Sequence, residues 1–143
     1  MFTLVWSSVV SVGCKKIVRM KDLEGAVLLV AEDVPVSRKL LKRLLTHQGA
    51  VVHVAADGQE AVSCVNANPG ITGVLMDIQM PNMNGIDATR LLRNQGFVQP
   101  IVAVTAATEL EAEGFDALGF SGYIPKPVIA TDLVNLIRSL LAR

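Results

Sequence analysis

Val74-Leu75-Met76-Asp77-Ile78-Gln79-Met80-Pro81 is the stretch that decides the fold. It opens as an apolar run with the length and composition of a buried strand. Pro81, Asn82, Asn84 and Gly85 are turn formers, so the strand cannot continue past them. A single carboxylate, Asp77, is thereby delivered to the rim of a sheet. Ligands of open parallel sheets bind outside the carboxyl ends of the strands. Taken alone, Asp77 could equally cap the segment that follows.

Working outward, the chain alternates strand-like and helix-like periods. Ala26-Val27-Leu28-Leu29-Val30-Ala31 is a continuous apolar run, as expected of a strand covered on both faces, and it ends in the acids Glu32 and Asp33. Pro35 opens a helix where its missing N–H costs nothing. Val36, Leu40, Leu41, Leu44 and Leu45 are expected on one face of that helix, with Arg38, Lys39, Lys42 and Arg43 largely on the other, and Gly49 stops it. Val51 to Ala55 reads as a second strand. Asp57-Gly58 turns the chain into a helix carrying Ala61, Val62 and Val65, ending before Asn68-Pro69-Gly70. Ile86, Leu91 and Leu92 mark a third helix, Pro100 to Thr105 a fourth strand, and Gly119 to Ile124 a fifth. Leu133, Leu136, Ile137, Leu140 and Leu141 line the last helix. Between the last two strands, Glu109, Glu111, Glu113 and Asp116 predict a helix with few apolar anchors, short or irregular. The expectation is an α/β domain: a doubly wound, five-stranded parallel sheet flanked by five helices.

The chain has 143 residues, enough for one domain with a substantial core. Its 13 basic and 13 acidic residues give no electrostatic case for nucleic acid or an anionic membrane. Cys14 and Cys64 share no motif and read as reduced cysteines of a cytosolic protein; His47 and His53 stand apart from any other metal-type ligand. Residues 1–25 read as an N-terminal extension or linker, or the last strand of an upstream domain, with the main domain spanning 26–143. The apolar part of that extension falls short of the roughly 20 residues a bilayer span takes, and its basic residues follow the apolar run instead of preceding it as in a secretory signal.

In such a sheet the ends of strands one, three, four and five lie close together. They carry Glu32 and Asp33, then Asp77, then Thr105, then Lys126. Three neighbouring carboxylates repel, so the cluster calls for a cation. Oxygen ligands with room for water suit Mg2+ better than zinc or copper. Asp77 beside such a metal can act as a nucleophile toward a phosphoryl group, with Lys126 and the Thr105 hydroxyl meeting the phosphoryl oxygens.

From about Ala26 to Arg143 the chain resembles the response-regulator receiver domains of two-component signalling, which have a flavodoxin-like fold. The residues that carry the resemblance are Glu32-Asp33, Met76 to Gly85, Thr105-Ala106 and Tyr123-Ile124-Pro125-Lys126-Pro127. The resemblance implies Asp77 as the phosphoacceptor, and Mg2+ bound by Asp33, Asp77 and the Gln79 backbone carbonyl, with Glu32 acting largely through water. It implies contacts from Thr105 and Lys126 to the phosphoryl group, a cis Lys126-Pro127 bond, and a switch in which Thr105 and Tyr123 move inward on phosphorylation. The donor would be a histidine kinase or a histidine-containing phosphotransfer protein docking on the first helix, through Arg38, Lys39, Lys42 and Arg43. Ala107 and Gln79 occupy positions that tune dephosphorylation in the family.

The wording from Gln79 to Gly85, followed by Asp87-Ala88-Thr89-Arg90, resembles receivers of hybrid histidine kinases. Arg143 closely follows the last helix, so the chain reads as such a C-terminal receiver or a stand-alone regulator, cytoplasmic either by itself or as part of a membrane-bound sensor, with a homodimer left open. No turnover of a separate substrate is expected beyond its own aspartyl phosphorylation and dephosphorylation. Two competing readings are a non-phosphorylated interaction module of the same fold and a Mg2+-dependent aspartyl phosphatase. The phosphatase would usually place a second acid where Gln79 stands, and the chain has no cap domain.

Overall fold

The computed structural model describes residues 21–106 and 114–142. The elements are β1 (Val27–Ala31), α1 (Pro35–His47), β2 (Val51–Ala55), α2 (Gly58–Ala67), β3 (Gly73–Asp77), α3 (Gly85–Asn94), β4 (Ile101–Thr105), β5 (Gly122–Pro125) and α4 (Ala130–Leu141). The strands form one parallel sheet in the order β2-β1-β3-β4-β5. The central strands β3 and β4 are buried along their whole length, which is why they read as unbroken apolar runs.

Strand side chains alternate between two cores. Leu29, Ala31, Val74, Met76, Ile101 and Ala103 pack with Ala61, Val62 and Val65 of α2 and Ala88 and Leu92 of α3. Leu28, Val30, Leu75, Val102 and Val104 face the other way, onto Leu41 and Leu45 of α1 and Leu133, Ile137 and Leu140 of α4. Each such fully buried leucine contributes about 1.5–3 kcal/mol. Leu23 joins this second core and its N–H donates to the Gln48 carbonyl at 2.9 Å.

The described residues contain four helices where five were expected. The missing one falls on Glu109, Glu111 and Glu113, outside the described residues, while Asp116 lies in a turn at 115–119. The apolar face of α1 is also narrower than expected. Leu41 and Leu45 are buried and Leu44 partly so, but Val36 and Leu40 are 68% and 60% exposed. Steps of four carry Val36 and Leu40 along a second stripe turned outward, which meets the core only at Leu44. β5 is displaced toward the C-terminus, at Gly122–Pro125, because Gly119 at φ 101 turns the chain and Phe120 is buried before the strand begins.

α2 starts on a charged cap. Asp57 Oδ1 accepts the Glu60 N–H at 2.8 Å, and Glu60 Oε1 accepts the Ala56 N–H at 2.9 Å. The Asp57 carboxyl is held below the usual carboxylate range, first by the Glu60 N–H and then by the Asn82 side-chain amide, against the opposing effect of burial. Because folding depresses this pKa, the stabilisation is present above the ordinary carboxylate value of about 4 and fades as pH falls through the depressed one. Asp57→Ala is expected to cost about 1–2 kcal/mol near neutral pH in urea denaturation. Its deficit against the wild type should shrink in strongly acidic solution.

Candidate functional site

Strand register brings the carboxyl ends level: Ala31 lies opposite Met76, Asp77 opposite Val104, and Thr105 opposite Pro125. The residues at or just past those ends are Glu32, Asp33, Asp77, Thr105 and Lys126. Glu32, Asp33 and Asp77 each present a carboxylate oxygen within 4.8 Å of the others. Glu32 and Asp77 are buried and Asp33 half-buried. Lys126 Nζ lies 3.3 Å from both Glu32 Oε1 and Asp77 Oδ2. Burial pushes the Lys126 ammonium down, but the Asp77 and Glu32 charges outweigh it and hold the group above the ordinary lysine range. Both distances exceed the roughly 2.7–2.9 Å of a tight charge-assisted hydrogen bond, so the ammonium is shared between two acids and not seated on either.

The supporting loops are anchored by backbone. Glu32 Oε2 accepts the Val34 N–H at 3.1 Å, and the Glu32 N–H donates to the Ala55 carbonyl at 3.0 Å. Arg38 Nη1 donates to the Glu32 carbonyl at 2.8 Å and reaches the Asp33 carbonyl at 3.4 Å. After Asp77, the loop carrying exposed Gln79 closes where the Gly85 N–H donates to the Ile78 carbonyl at 2.8 Å. A Cβ on Gly85 would run into the Asp77 carbonyl oxygen. Thr105 is buried and its carbonyl accepts the Lys126 N–H at 2.9 Å. The Lys126-Pro127 peptide is cis. Tyr123 is 38% exposed, its ring centroid 5.5 Å from that of Phe115. Ala107 lies outside the described residues.

Three clustered carboxylates balanced by one lysine leave net negative charge at a strand-end cleft. This is the donor chemistry of a hard, oxygen-seeking cation, so the residues fit Mg2+. On α1, Lys39, Lys42 and Arg43 are exposed, whereas Arg38 is half-buried against the β1–α1 backbone. Beside them runs a groove of about 790 Å3 between α1 and the start of α4, lined by Leu40, Leu44, Val104, Pro127 and Val128 and reaching Glu32 and Lys126 at the site.

A parallel α/β domain with an acidic, lysine-balanced cluster at its strand ends is the class that fold and site define. The chain belongs to the response regulator receiver domain family, whose model matches residues 28–138, and it is a receiver domain of two-component signalling. The response regulator MprA of a Mycobacterium species (strain KMS) is 36% identical over 81% of this chain and 50% of its own length. Hybrid signal transduction histidine kinase I of Dictyostelium discoideum is 35% identical over 81% of this chain and 7% of its own length. The chain therefore spans half or less of these relatives. Among solved structures, the receiver domain of sensor histidine kinase PA1611 from Pseudomonas aeruginosa, with a magnesium ion in its active-site cleft, superposes with TM-score 0.76 at 29% identity. That match covers 83% of this chain and 99% of the other. A Francisella response regulator receiver domain gives TM-score 0.77 at 29% identity, covering 83% and 98%. No helix among the described residues is long and apolar enough to cross a membrane.

Three features went unread in the sequence. Asp57 registered only as a turn residue, although Asp57-Gly58-Gln59-Glu60 has the spacing of a capping box. Asn82, which bonds Asp57, and Phe115, which packs on Tyr123, carry no local signal of those contacts.

Proposed function

We propose that this domain takes a phosphoryl group from a phosphohistidine onto Asp77 and uses the change to switch a protein-interaction face. The observation that carries the reading is the clustering of the Glu32, Asp33 and Asp77 carboxylates at the strand ends, with the Lys126 ammonium paired to Glu32 and Asp77. Asp33, Asp77 and the Gln79 carbonyl would hold Mg2+, with Glu32 acting largely through water. Bound there, Mg2+ supplies positive charge for the phosphoryl oxygens. An Asp77 carboxylate oxygen forms the new O–P bond as the P–N bond breaks, and the imidazole nitrogen leaves with the electron pair and takes up a proton. Lys126 and Thr105 neutralise and orient the phosphoryl oxygens, and water later cleaves the acyl phosphate. Inward rotation of Tyr123 would give up its packing on Phe115, tying the switch to the 115–119 turn.

The donor is a histidine kinase or phosphotransfer protein, met in the cytoplasm on the α1 face. The apolar groove supports this placement because it runs from Leu40 and Leu44 to Lys126, which lies beside the acceptor Asp77. Exposed Lys39 and Lys42 would steer the encounter; Arg38 also braces the β1–α1 turn, so it is the poorer residue to reverse. Lys39→Glu with Lys42→Glu is expected to slow transfer from a phosphorylated donor about tenfold at low salt, with the gap narrowing as salt rises. Stopped-flow rates unchanged at low salt would remove the steering role. The likeness to hybrid-kinase and sensor-kinase receivers supports a place in a hybrid histidine kinase. An MprA-like response regulator is the competing context, and sequencing the flanking reading frame separates the two.

The reading is tested by intact-mass analysis after incubation with a small phosphoryl donor. One phosphoryl group should be gained with Mg2+ and none without it. No gain under either condition leaves the non-phosphorylated interaction module.

A further inference from the structure

Asp57 lies outside the acidic cluster, on the turn between β2 and α2, yet it is buried and both of its oxygens are engaged. A helix cap needs one acceptor, and Oδ1 meets that need by taking the Glu60 N–H. Oδ2 does something a cap does not require: it accepts the Asn82 side-chain amide at 2.8 Å. Asn82 sits at φ 66, the one non-glycine at positive φ among the described residues. Such a backbone persists where its surroundings hold it.

A second tie runs alongside. The Gly58 N–H donates to the Met83 carbonyl at 2.9 Å, and a Cβ on Gly58 would run into that same oxygen. The start of α2 therefore abuts the tip of the β3–α3 loop. The base of the loop is closed by Gly85 on Ile78, and its tip is tightened by the Met83 N–H on the Pro81 carbonyl at 2.7 Å. On the arm leaving β3, only Gln79, Met80 and Pro81 stand between base and tip. Met80 is buried and Pro81 is stiff by its ring.

We propose that Asp57 is a positioning residue for the cation site, holding the β3–α3 loop through Asn82 so that the Gln79 carbonyl faces the metal. This rests on the reading of Gln79 as a Mg2+ ligand. A backbone carbonyl has no rotamers of its own, so the loop alone aims it. Outer partners that orient a metal ligand typically change affinity about 10- to 100-fold when removed.

The test separates aiming from capping. Asp57→Ser keeps an oxygen for the Glu60 N–H but cannot span to Asn82. Asn82→Gly keeps the positive φ and removes the donor. Mg2+ affinity is read from amide NMR titration of the full chain, and stability from thermal melting without Mg2+. Both variants should bind Mg2+ about tenfold more weakly. The double variant should bind no more weakly than either single one, because both changes cut the same link. Unchanged affinity in both variants, or fully additive losses, would overturn the positioning role and leave Asp57 a helix cap. Should Asp57→Ser fail to fold, Asn82→Gly alone decides the matter. Wild-type protein that does not bind Mg2+ saturably would overturn the underlying reading of the site, a result distinct from wild-type binding that neither variant weakens.

Discussion

Asp77→Asn is expected to abolish phosphoryl incorporation completely while leaving the fold intact. The amide keeps the shape of the side chain but cannot form an acyl phosphate, so no acceptor remains at the end of β3. It also removes one of the three negative charges gathered within 4.8 Å, leaving Lys126 paired with Glu32. Relief of carboxylate repulsion offsets the lost pairing to Lys126, so the melting temperature without Mg2+ should be no lower than in the wild type. The response to Mg2+ should weaken. Saturation at roughly ten times the dissociation constant stabilises a binding-competent protein by about 1.4 kcal/mol, and the variant, short of a ligand charge, should gain much less. Melting curves with and without Mg2+ check this, alongside mass analysis. Phosphorylation persisting in Asp77→Asn would move the acceptor elsewhere.

Gly85→Ala should damage both stability and the site. The added methyl would run into the Asp77 carbonyl oxygen and press on Met76 Cγ at 2.9 Å. The Asp77 carbonyl is backbone and cannot rotate away as a side chain can, and the Gly85 N–H is bonded to the Ile78 carbonyl. Relief requires α3 to separate from the end of β3, which moves Asp77 itself. A cost of about 3 kcal/mol or more is expected, at the upper end for overpacking, together with weaker Mg2+ binding. Gly70→Ala provides the contrast: nothing lies within 4 Å of its added Cβ, and the change should stay within about 0.5 kcal/mol. Equal stability of the two variants in urea denaturation would mean that the β3–α3 junction yields more easily than its geometry implies.

The sheet was legible because parallel strands covered on both faces cannot hide. Val74-Leu75-Met76 and Ile101 to Thr105 have no polar residue facing solvent to blur them, and each ends at an acid or hydroxyl. The acidic cluster was legible for the same reason: charged residues directly after buried strands have few places to go but the sheet rim. Periodicity was less informative on α1, where leucines at 40, 41, 44 and 45 suggest one broad face. The sheet takes Leu41 and Leu45, while Leu40 and Leu44 line a groove and Val36 stays exposed. Tertiary hydrogen bonds were the least legible. Nothing near Asp57 foretells a partner at Asn82, since the link depends on how two loops meet across the sheet edge. The acidic stretch between β4 and β5 carries few apolar anchors, so its pattern supported only a short or irregular helix, over residues that lie largely outside the described ones.

The most direct measurement is an amide NMR titration of the wild-type chain with Mg2+ and then beryllofluoride, which mimics a phosphoryl group on the acceptor, with Asp77→Asn run in parallel. Large shifts at Asp33, Thr105, Tyr123 and Lys126 in the wild type, absent in Asp77→Asn, are the predicted result. A wild-type spectrum unmoved by beryllofluoride at saturating Mg2+, or equal shifts in the variant, would contradict Asp77 as the acceptor that drives the switch.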